Sequence, residues 1–244
     1  MTRIETAMVM AAGLGKRMRP LTATRPKPLV RVAGKPLIDH IFDKIEDAGI
    51  GHVVVNVHYL ADAMEAHLHA RKRSFDVSVS DERKLLLETG GGLVKAQSLF
   101  RGDPILCVNG DNIWTEGAVS AIDQLRLHWD SRRMDALLLL VPHARATGNR
   151  GRGDFHMSPD GRVSRRAAGK IAPFVFTGVQ LLSNRLLVDA PEGAFSTNIL
   201  WDRAIESGRL YGISHYGQWF DVGTPASIPL VEEMIGYTPR PFAA

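Results

Sequence analysis

The sequence predicts an α/β fold in which a mixed, mostly parallel sheet carries helices on both faces. Three observations predict it. Short β-rich apolar runs recur, helical patterns lie between them, and Gly, Pro, Asn or Asp bounds the runs. The runs fall at 7–11, 53–57, 77–80, 105–108 and 136–141, each too short for a buried helix. The first helix is predicted from Pro36, well placed in a first helical turn, through Ile38, Ile41, Phe42 and Ile45 to Gly49, a natural stop. Further helices are expected over about 60–69, 92–99 and 118–128, and strand alternating with helix is the pattern of a sheet covered on both faces. Past Val141 the rhythm changes. Segments 154–157 and 162–165 flank Ser158-Pro159-Asp160-Gly161, a turn sequence that predicts a hairpin. A strand over 174–182, a helix over about 197–206, a strand over 210–214 and a helix opened by Thr224 and Pro225 complete the outline.

The 244 residues, 45% of them hydrophobic, suffice to bury a full core, and one domain over 1–244 is expected. The densest loop-forming run, 146–154, divides it into halves of about 1–145 and 146–244. A net charge of +4, from 30 basic and 26 acidic residues, suits a pocket for anions better than a nucleic-acid track, so no nucleic-acid partner is expected. The single cysteine, Cys107, sits in an apolar run, which excludes an internal disulfide and suits a reducing cytoplasm. Residues 1–6 lack the pattern of a signal peptide, and no apolar stretch is long enough to cross a membrane. A cytoplasmic protein without membrane contact, a monomer or small homo-oligomer, is expected.

Ala11-Ala12-Gly13-Leu14-Gly15-Lys16-Arg17-Met18-Arg19-Pro20-Leu21-Thr22 follows the first strand, where ligands of open α/β sheets gather. Gly13 and Gly15 let backbone N–H groups approach phosphate oxygens, and Lys16, Arg17 and Arg19 add positive charge. A dinucleotide-binding fingerprint would need glycine in place of Met18, and a Walker loop would need Ser or Thr in place of Arg17. A tight structural turn also explains two glycines. Arg25-Pro26-Lys27-Pro28-Leu29 adds a lysine between two prolines, which limits the directions its ammonium can take.

Gly-x-Gly-x-Arg-x-x-Pro-Leu-Thr followed by Pro-Lys-Pro-Leu resembles the signature of the sugar-phosphate nucleotidyltransferases. The resemblance implies a Rossmann-like nucleotidyltransferase fold, without the C-terminal β-helix of larger relatives. It also implies that Ala12, Gly13, Gly15 and Lys16 lie at the nucleotide, that Arg17 meets the triphosphate and leaving pyrophosphate, and that Lys27 meets the reacting phosphates. Lys16 departs from the commonest pattern, which has threonine there.

Leu87-Glu88-Thr89-Gly90-Gly91-Gly92 lies between a predicted strand and a helix, where glycines allow close passage of a flat ligand or simply form a flexible loop. By resemblance, Glu88, Thr89, Gly90 and Gly91 contact the base and ribose. Asn109-Gly110-Asp111 ends the run at 105–108 and brings a carboxylate to the same edge. Mg²⁺ takes one or two carboxylates together with substrate phosphates and water, so a second acid is needed. Asp221, in Trp219-Phe220-Asp221-Val222-Gly223-Thr224, is the best candidate, with a turn or cap as its other explanation. The resemblance implies that Asp111 and Asp221 hold Mg²⁺ and that Asp111 is catalytic with Arg17 and Lys27.

The reaction so implied joins a nucleoside triphosphate to a sugar 1-phosphate. The whole chain is similar to the compact bacterial members that join UTP and N-acetylmuramate 1-phosphate in cell-wall recycling, on Leu-Glu-Thr-Gly-Gly-Gly, Val-Asn-Gly-Asp, Arg-Gly-Asp-Phe, Phe-Thr-Gly and Trp-Phe-Asp-Val-Gly-Thr. By that similarity Asn109 and Gly153 touch the sugar or its phosphate, with Thr177 and Gly178 nearby; the loop-forming run at 146–154 is expected to separate a nucleotide-binding half, about 1–145, from a sugar-binding half, about 146–244. Arg150, Arg152 or Lys170 could meet the lactyl carboxylate of a muramoyl sugar, or be solvated loop charges. The alternatives are a mannose 1-phosphate guanylyltransferase or a glucose or heptose relative and, from another class, a non-catalytic nucleotide-sugar binding protein.

Overall fold

The apolar runs are strands of one sheet, and they are buried except the run at 77–80, which is half-buried at the sheet edge. The computed structural model describes residues 1–70, 72–149 and 151–237. In chain order the strands are β1 (Thr6–Met10), β2 (Arg31–Val32), β3 (Lys35–Pro36), β4 (His52–Val57), β5 (Asp76–Asp81), β6 (Ile105–Asn109), β7 (Ile113–Trp114), β8 (Ala136–Pro142), β9 (Ala146–Thr147), β10 (Phe155–Met157), β11 (Val163–Arg165), β12 (Phe174–Leu182), β13 (Leu210–Ser214) and β14 (Trp219–Phe220). The α-helices are α1 (Leu37–Asp47), α2 (Ala61–His69), α3 (Glu88–Ala96), α4 (Ala121–His128), α5 (Asn198–Glu206) and α6 (Ser227–Met234).

Nine strands form the main sheet, in the order β11-β10-β12-β6-β1-β4-β5, with β8 joined to β12 and β13 to β8. β6, β1, β4 and β5 are mutually parallel, and β12 runs antiparallel to both β6 and β8. This is the mixed, Rossmann-like α/β sheet. The chain passes from β1 to β4 on one side and later reaches β6 on the other, so the ends of β1 and β6 flank a switch point where a crevice opens. Strands from before and after residue 146 share this sheet.

Alternation along the strands sends side chains to two cores. Val53 and Val55 pack with Ile38, Ile41, Met64 and Leu125 on the face of α1, α2 and α4. Val54, between them, packs with Leu93, Leu200 and Trp201 on the face of α3 and α5. Each fully buried Ile or Leu contributes roughly 1.5–3 kcal/mol. A third cluster gathers Met18, Val30, Leu37, Ile113, Phe220 and Val222 below the crevice. A small sheet, β7-β14-β9, carries the late Trp219–Phe220 strand across to this cluster.

Three expectations need correction. Gly90, Gly91 and Gly92 do not precede the third helix; they are buried in its first turns, since α3 begins at Glu88. Low helical propensity makes three glycines look like a loop, but close packing against residues 193–195 overrides it. Thr224 does not cap the last helix, which starts at Ser227 with Ala226 before it and no side-chain cap. The fourth helix starts at Ala121 rather than near 118, because the Ser120 hydroxyl accepts from Asp123 N–H and caps it.

Candidate active site

The glycine-rich segment leaves β1 and turns sharply at Gly15, whose φ of +60° is left-handed. A Cβ there would stand 3.0 Å from Lys27 Cβ and from Thr22 Cγ2, so glycine is required both by conformation and by space. Thr22 fixes the turn by donating its hydroxyl to Gly15 O at 2.9 Å. Gly13 is exposed, with open space where a side chain would be. Met18, standing where the dinucleotide fingerprint has glycine, is fully buried beside Phe220 and Val222. It anchors the loop and leaves its neighbour Arg17 exposed at the crevice.

A cavity of about 260 Å³ lies here, lined by Gly13, Gly15, Lys16, Arg17, Lys27 and Asp111 among others. Lys27 Nζ donates to Asp111 Oδ2 at 2.5 Å, which joins the loop after β1 to the end of β6. Asp221 follows β14, and its N–H donates to Thr147 O at 3.0 Å. Among the described residues neither its carboxylate nor the guanidinium of Arg17 has a hydrogen-bond or ion-pair partner. A second cavity shares Arg17 and Gly223 with the first and includes Asp221. A Cβ at Gly223 would stand 3.0 Å from Asp221 Oδ1 and 3.2 Å from Arg17 Nη1, so this glycine lets an acid and a cation approach one spot. Lys27 and Asp111 therefore line one cavity, Asp221 lines the other, and Arg17 lines both.

The donor chemistry suits a hard divalent cation in part. Two carboxylates flank the site, and among the described residues no group of three or more His, Cys, Asp or Glu stands together as a cation cage. A cation such as Mg²⁺ that keeps waters and takes phosphate oxygens fits such a set.

The sugar-side residues surround a bulge in β12. Gly178 has φ +80°, and the pairing of β12 with β8 shifts between Phe176 and Gln180. A Cβ at Gly178 would stand 2.3 Å from Asn112 Nδ2 and 2.7 Å from Asn109 Nδ2, so the glycine makes room for both amides at the crevice edge. Thr177 has a different task. It is buried, its hydroxyl donates to Leu139 O at 2.8 Å, and its carbonyl accepts from Asn112 Nδ2 and Trp219 Nε1. Gly153, with φ +75°, is buried against Ala172, and its carbonyl accepts from Arg166 Nε at 2.9 Å. Arg152 donates to Gly169 O, and Arg150 lies outside the described residues.

On the other side, Glu88 and Thr89 are exposed at the start of α3, Glu88 with φ +57°. The N–H groups of Gly90 and Gly91 both donate to Phe195 O, at 2.8 and 3.2 Å, and Cβ atoms there would collide with the Phe195 ring and Gly193 O. These two glycines are engaged in packing. Thr89 Oγ1 accepts from Thr197 N–H at 2.9 Å and ties the same segments together. Cys107 is buried, and burial pushes its thiol up to about 12, which removes it from nucleophilic chemistry. Sequence reasoning missed Gly110, Asn112 and Gly223. Gly110 lies within the Asn109-Gly110-Asp111 motif, Asn112 follows it and Gly223 ends the Asp-x-Gly motif, so the motifs themselves held the signal.

Residues 6–150, which include the glycine-rich loop and the Lys27–Asp111 pair, match the nucleotidyl transferase family, and the chain belongs to it. It is similar to N-acetylmuramate alpha-1-phosphate uridylyltransferase of Caulobacter vibrioides, 46% identical over 222 residues, 90% of this chain and 92% of that one. The enzyme of the same name from Neisseria meningitidis serogroup B is 32% identical over 94% of this chain and 98% of its own. Among solved structures, HddC from Yersinia pseudotuberculosis superposes with a TM-score of 0.76 over 95% of this chain and all of that one, and at 19% identity shares the fold. The chain is a sugar 1-phosphate nucleotidyltransferase.

Proposed function

We propose that this enzyme joins UTP to N-acetylmuramate 1-phosphate, giving UDP-N-acetylmuramate and pyrophosphate, in cell-wall recycling in the cytoplasm. The observation that carries the chemistry is the Lys27–Asp111 pair and Arg17 lining one cavity beside an open glycine loop, with Asp221 lining an adjacent cavity that shares Arg17. The substrate pair rests on the similarity to the Caulobacter and Neisseria enzymes along nearly the whole chain.

An oxygen of the sugar 1-phosphate attacks the α-phosphorus of UTP. The new P–O bond forms as the bond to the β-phosphate oxygen breaks, and pyrophosphate carries away the electron pair. Alignment and charge neutralisation supply the catalysis. Gly13 and Gly15 let the triphosphate lie against the backbone, and Arg17 and Lys16 face the β- and γ-phosphates and then the leaving group. Lys27 presents its ammonium to the reacting phosphates, its stem fixed between two prolines. Glu88 and Thr89 border the uridine, and Gly90 and Gly91 hold that border through Phe195. Asn109, in the room made by Gly178, borders the sugar phosphate, and Gly153 and Thr177 shape that wall from within. Mg²⁺ held by Asp111 and Asp221 would supply further neutralisation of the α-phosphate and the pyrophosphate. Most of the nucleotide contacts in this reading come from residues 1–145, with Asn109 from that half at the sugar phosphate and Asp221 from residues 146–244 at the metal.

A panel of triphosphates against sugar phosphates, read by pyrophosphate release, tests the assignment. Preference for GTP with mannose 1-phosphate would move the enzyme to the guanylyltransferases of the same family, and binding without release would mark a nucleotide-sugar binding protein.

A further inference from the structure

Two buried polar side chains lie between the glycine-rich loop and the start of α3, and the catalytic steps use neither. Asn56, in β4, is 1% exposed, and Glu82, just after β5, is fully buried. A buried carboxylate is costly unless its oxygens are satisfied. Here Oε1 accepts from Asn56 Nδ2 at 2.7 Å and Oε2 accepts from Leu87 N–H at 3.0 Å. Asn56 Oδ1 in turn accepts from Ala11 N–H at 2.6 Å. The result is a continuous chain from Ala11 through Asn56 and Glu82 to Leu87. Both of its ends are backbone N–H groups, which can only donate, so its polarity is fixed. Gly92 makes the space for it, since a Cβ there would stand 2.9 Å from Glu82 Oε1 and 3.0 Å from Asn56 Nδ2.

The ends of this chain lie in the two segments assigned to the nucleotide. Ala11 opens the loop that carries Gly13, Gly15 and Arg17, and Leu87 precedes Glu88 and Thr89. We propose that Asn56 and Glu82 are positioning residues for nucleotide binding, holding the triphosphate loop and the base-side turn at one fixed separation without touching the nucleotide. The proposal rests on the nucleotide-binding reading above. Every polar side-chain atom of the two has a protein partner, so they act through Ala11 and Leu87.

The fixed polarity gives a specific test. Glu82→Gln must present one oxygen and one NH2 to two donors, so one donor always faces another. Asn56→Asp sets one carboxylate against another. Combining the two substitutions reverses the middle of the chain: the new carboxylate at position 56 accepts from Ala11 and from the new amide at 82, whose oxygen accepts from Leu87. Steady-state kinetics with UTP and N-acetylmuramate 1-phosphate, UTP binding by calorimetry and thermal midpoints are measured for the wild type, both single variants and the double variant. Each single variant is expected to raise the UTP KM and Kd about tenfold, the scale of one unsatisfied buried group. The KM for the sugar phosphate should stay within about twofold, and the double variant should return close to wild type. The positioning role is overturned if the single variants bind UTP normally, if both KM values rise alike, or if the double variant is no better than the worse single one. Should the single variants fail to fold, the double variant still decides, because it must fold and bind UTP. A wild type that binds no nucleoside triphosphate would instead overturn the nucleotide reading itself.

Discussion

Lys27 Nζ and Asp111 Oδ2 stand 2.5 Å apart, an ion pair between the segment after the glycine loop and the end of β6. The lysine side chain is largely covered, at 12% exposure, whereas the aspartate keeps 35%. Incoming phosphates compete with Asp111 for this ammonium, so the pair marks where the reacting groups arrive. Lys27→Ala is expected to lower kcat by about 10²-fold or more, the loss seen when a preorganised charge-stabilising group is removed. Single-turnover rates at saturating substrates check this. An unchanged rate would remove Lys27 from the reacting phosphates.

Asp111→Asn and Asp221→Asn test the cation assignment separately. Each substitution keeps the shape and removes a charge, so each should raise the Mg²⁺ concentration needed for half-maximal rate by about tenfold or more. Titration of activity with Mg²⁺ after treatment with chelator measures it. If Asp221→Asn leaves the Mg²⁺ dependence unaltered, Asp221 serves only the turn.

Gly178→Ala should act on the sugar side alone. At φ +80° any side chain is strained, and the new methyl would press on the Asn109 and Asn112 amides. The expected result is a rise in KM for the sugar phosphate with the UTP KM little changed, and a stability loss of about 1–2 kcal/mol. Urea unfolding and paired KM measurements check both parts.

Burial lowers the pKa of His40, His52 and His215 below their ordinary value of 6.5. The unfolded chain binds protons at these rings before the folded chain does. Stability is therefore complete above about pH 6.5 and is lost as the pH falls below it. His215 is buried, and its Nε2 lies 3.1 Å from Thr115 O. Thermal midpoints between about pH 8 and pH 5 should fall on the acid side, and His215→Gln should make that fall shallower.

The parts of the site legible in the sequence are those at the ends of strands. Gly13, Gly15, Arg17, Lys27, Asp111 and Asp221 all sit beside runs or motifs whose pattern survives without the fold, and the α/β alternation itself was plain. What was hidden depends on contacts distant in sequence. Gly90 and Gly91 look like loop residues until residues 193–195 pack on them, and Thr177 looks available until its hydroxyl meets Leu139. Thr224 resembles a cap, yet its N–H lies 3.4 Å from Ser227 Oγ and the helix begins later. Asn56 left a faint trace, a lone amide within the valine run of β4, but its partner Glu82 lies in another segment.

The measurement that tests the central claim most directly is the initial rate of pyrophosphate release by the full chain with Mg²⁺ and UTP plus N-acetylmuramate 1-phosphate, set against GTP plus mannose 1-phosphate. The expected result is a kcat/KM at least about 10²-fold higher for the first pair, abolished by chelator. Equal rates, or faster release with the second pair, would contradict it.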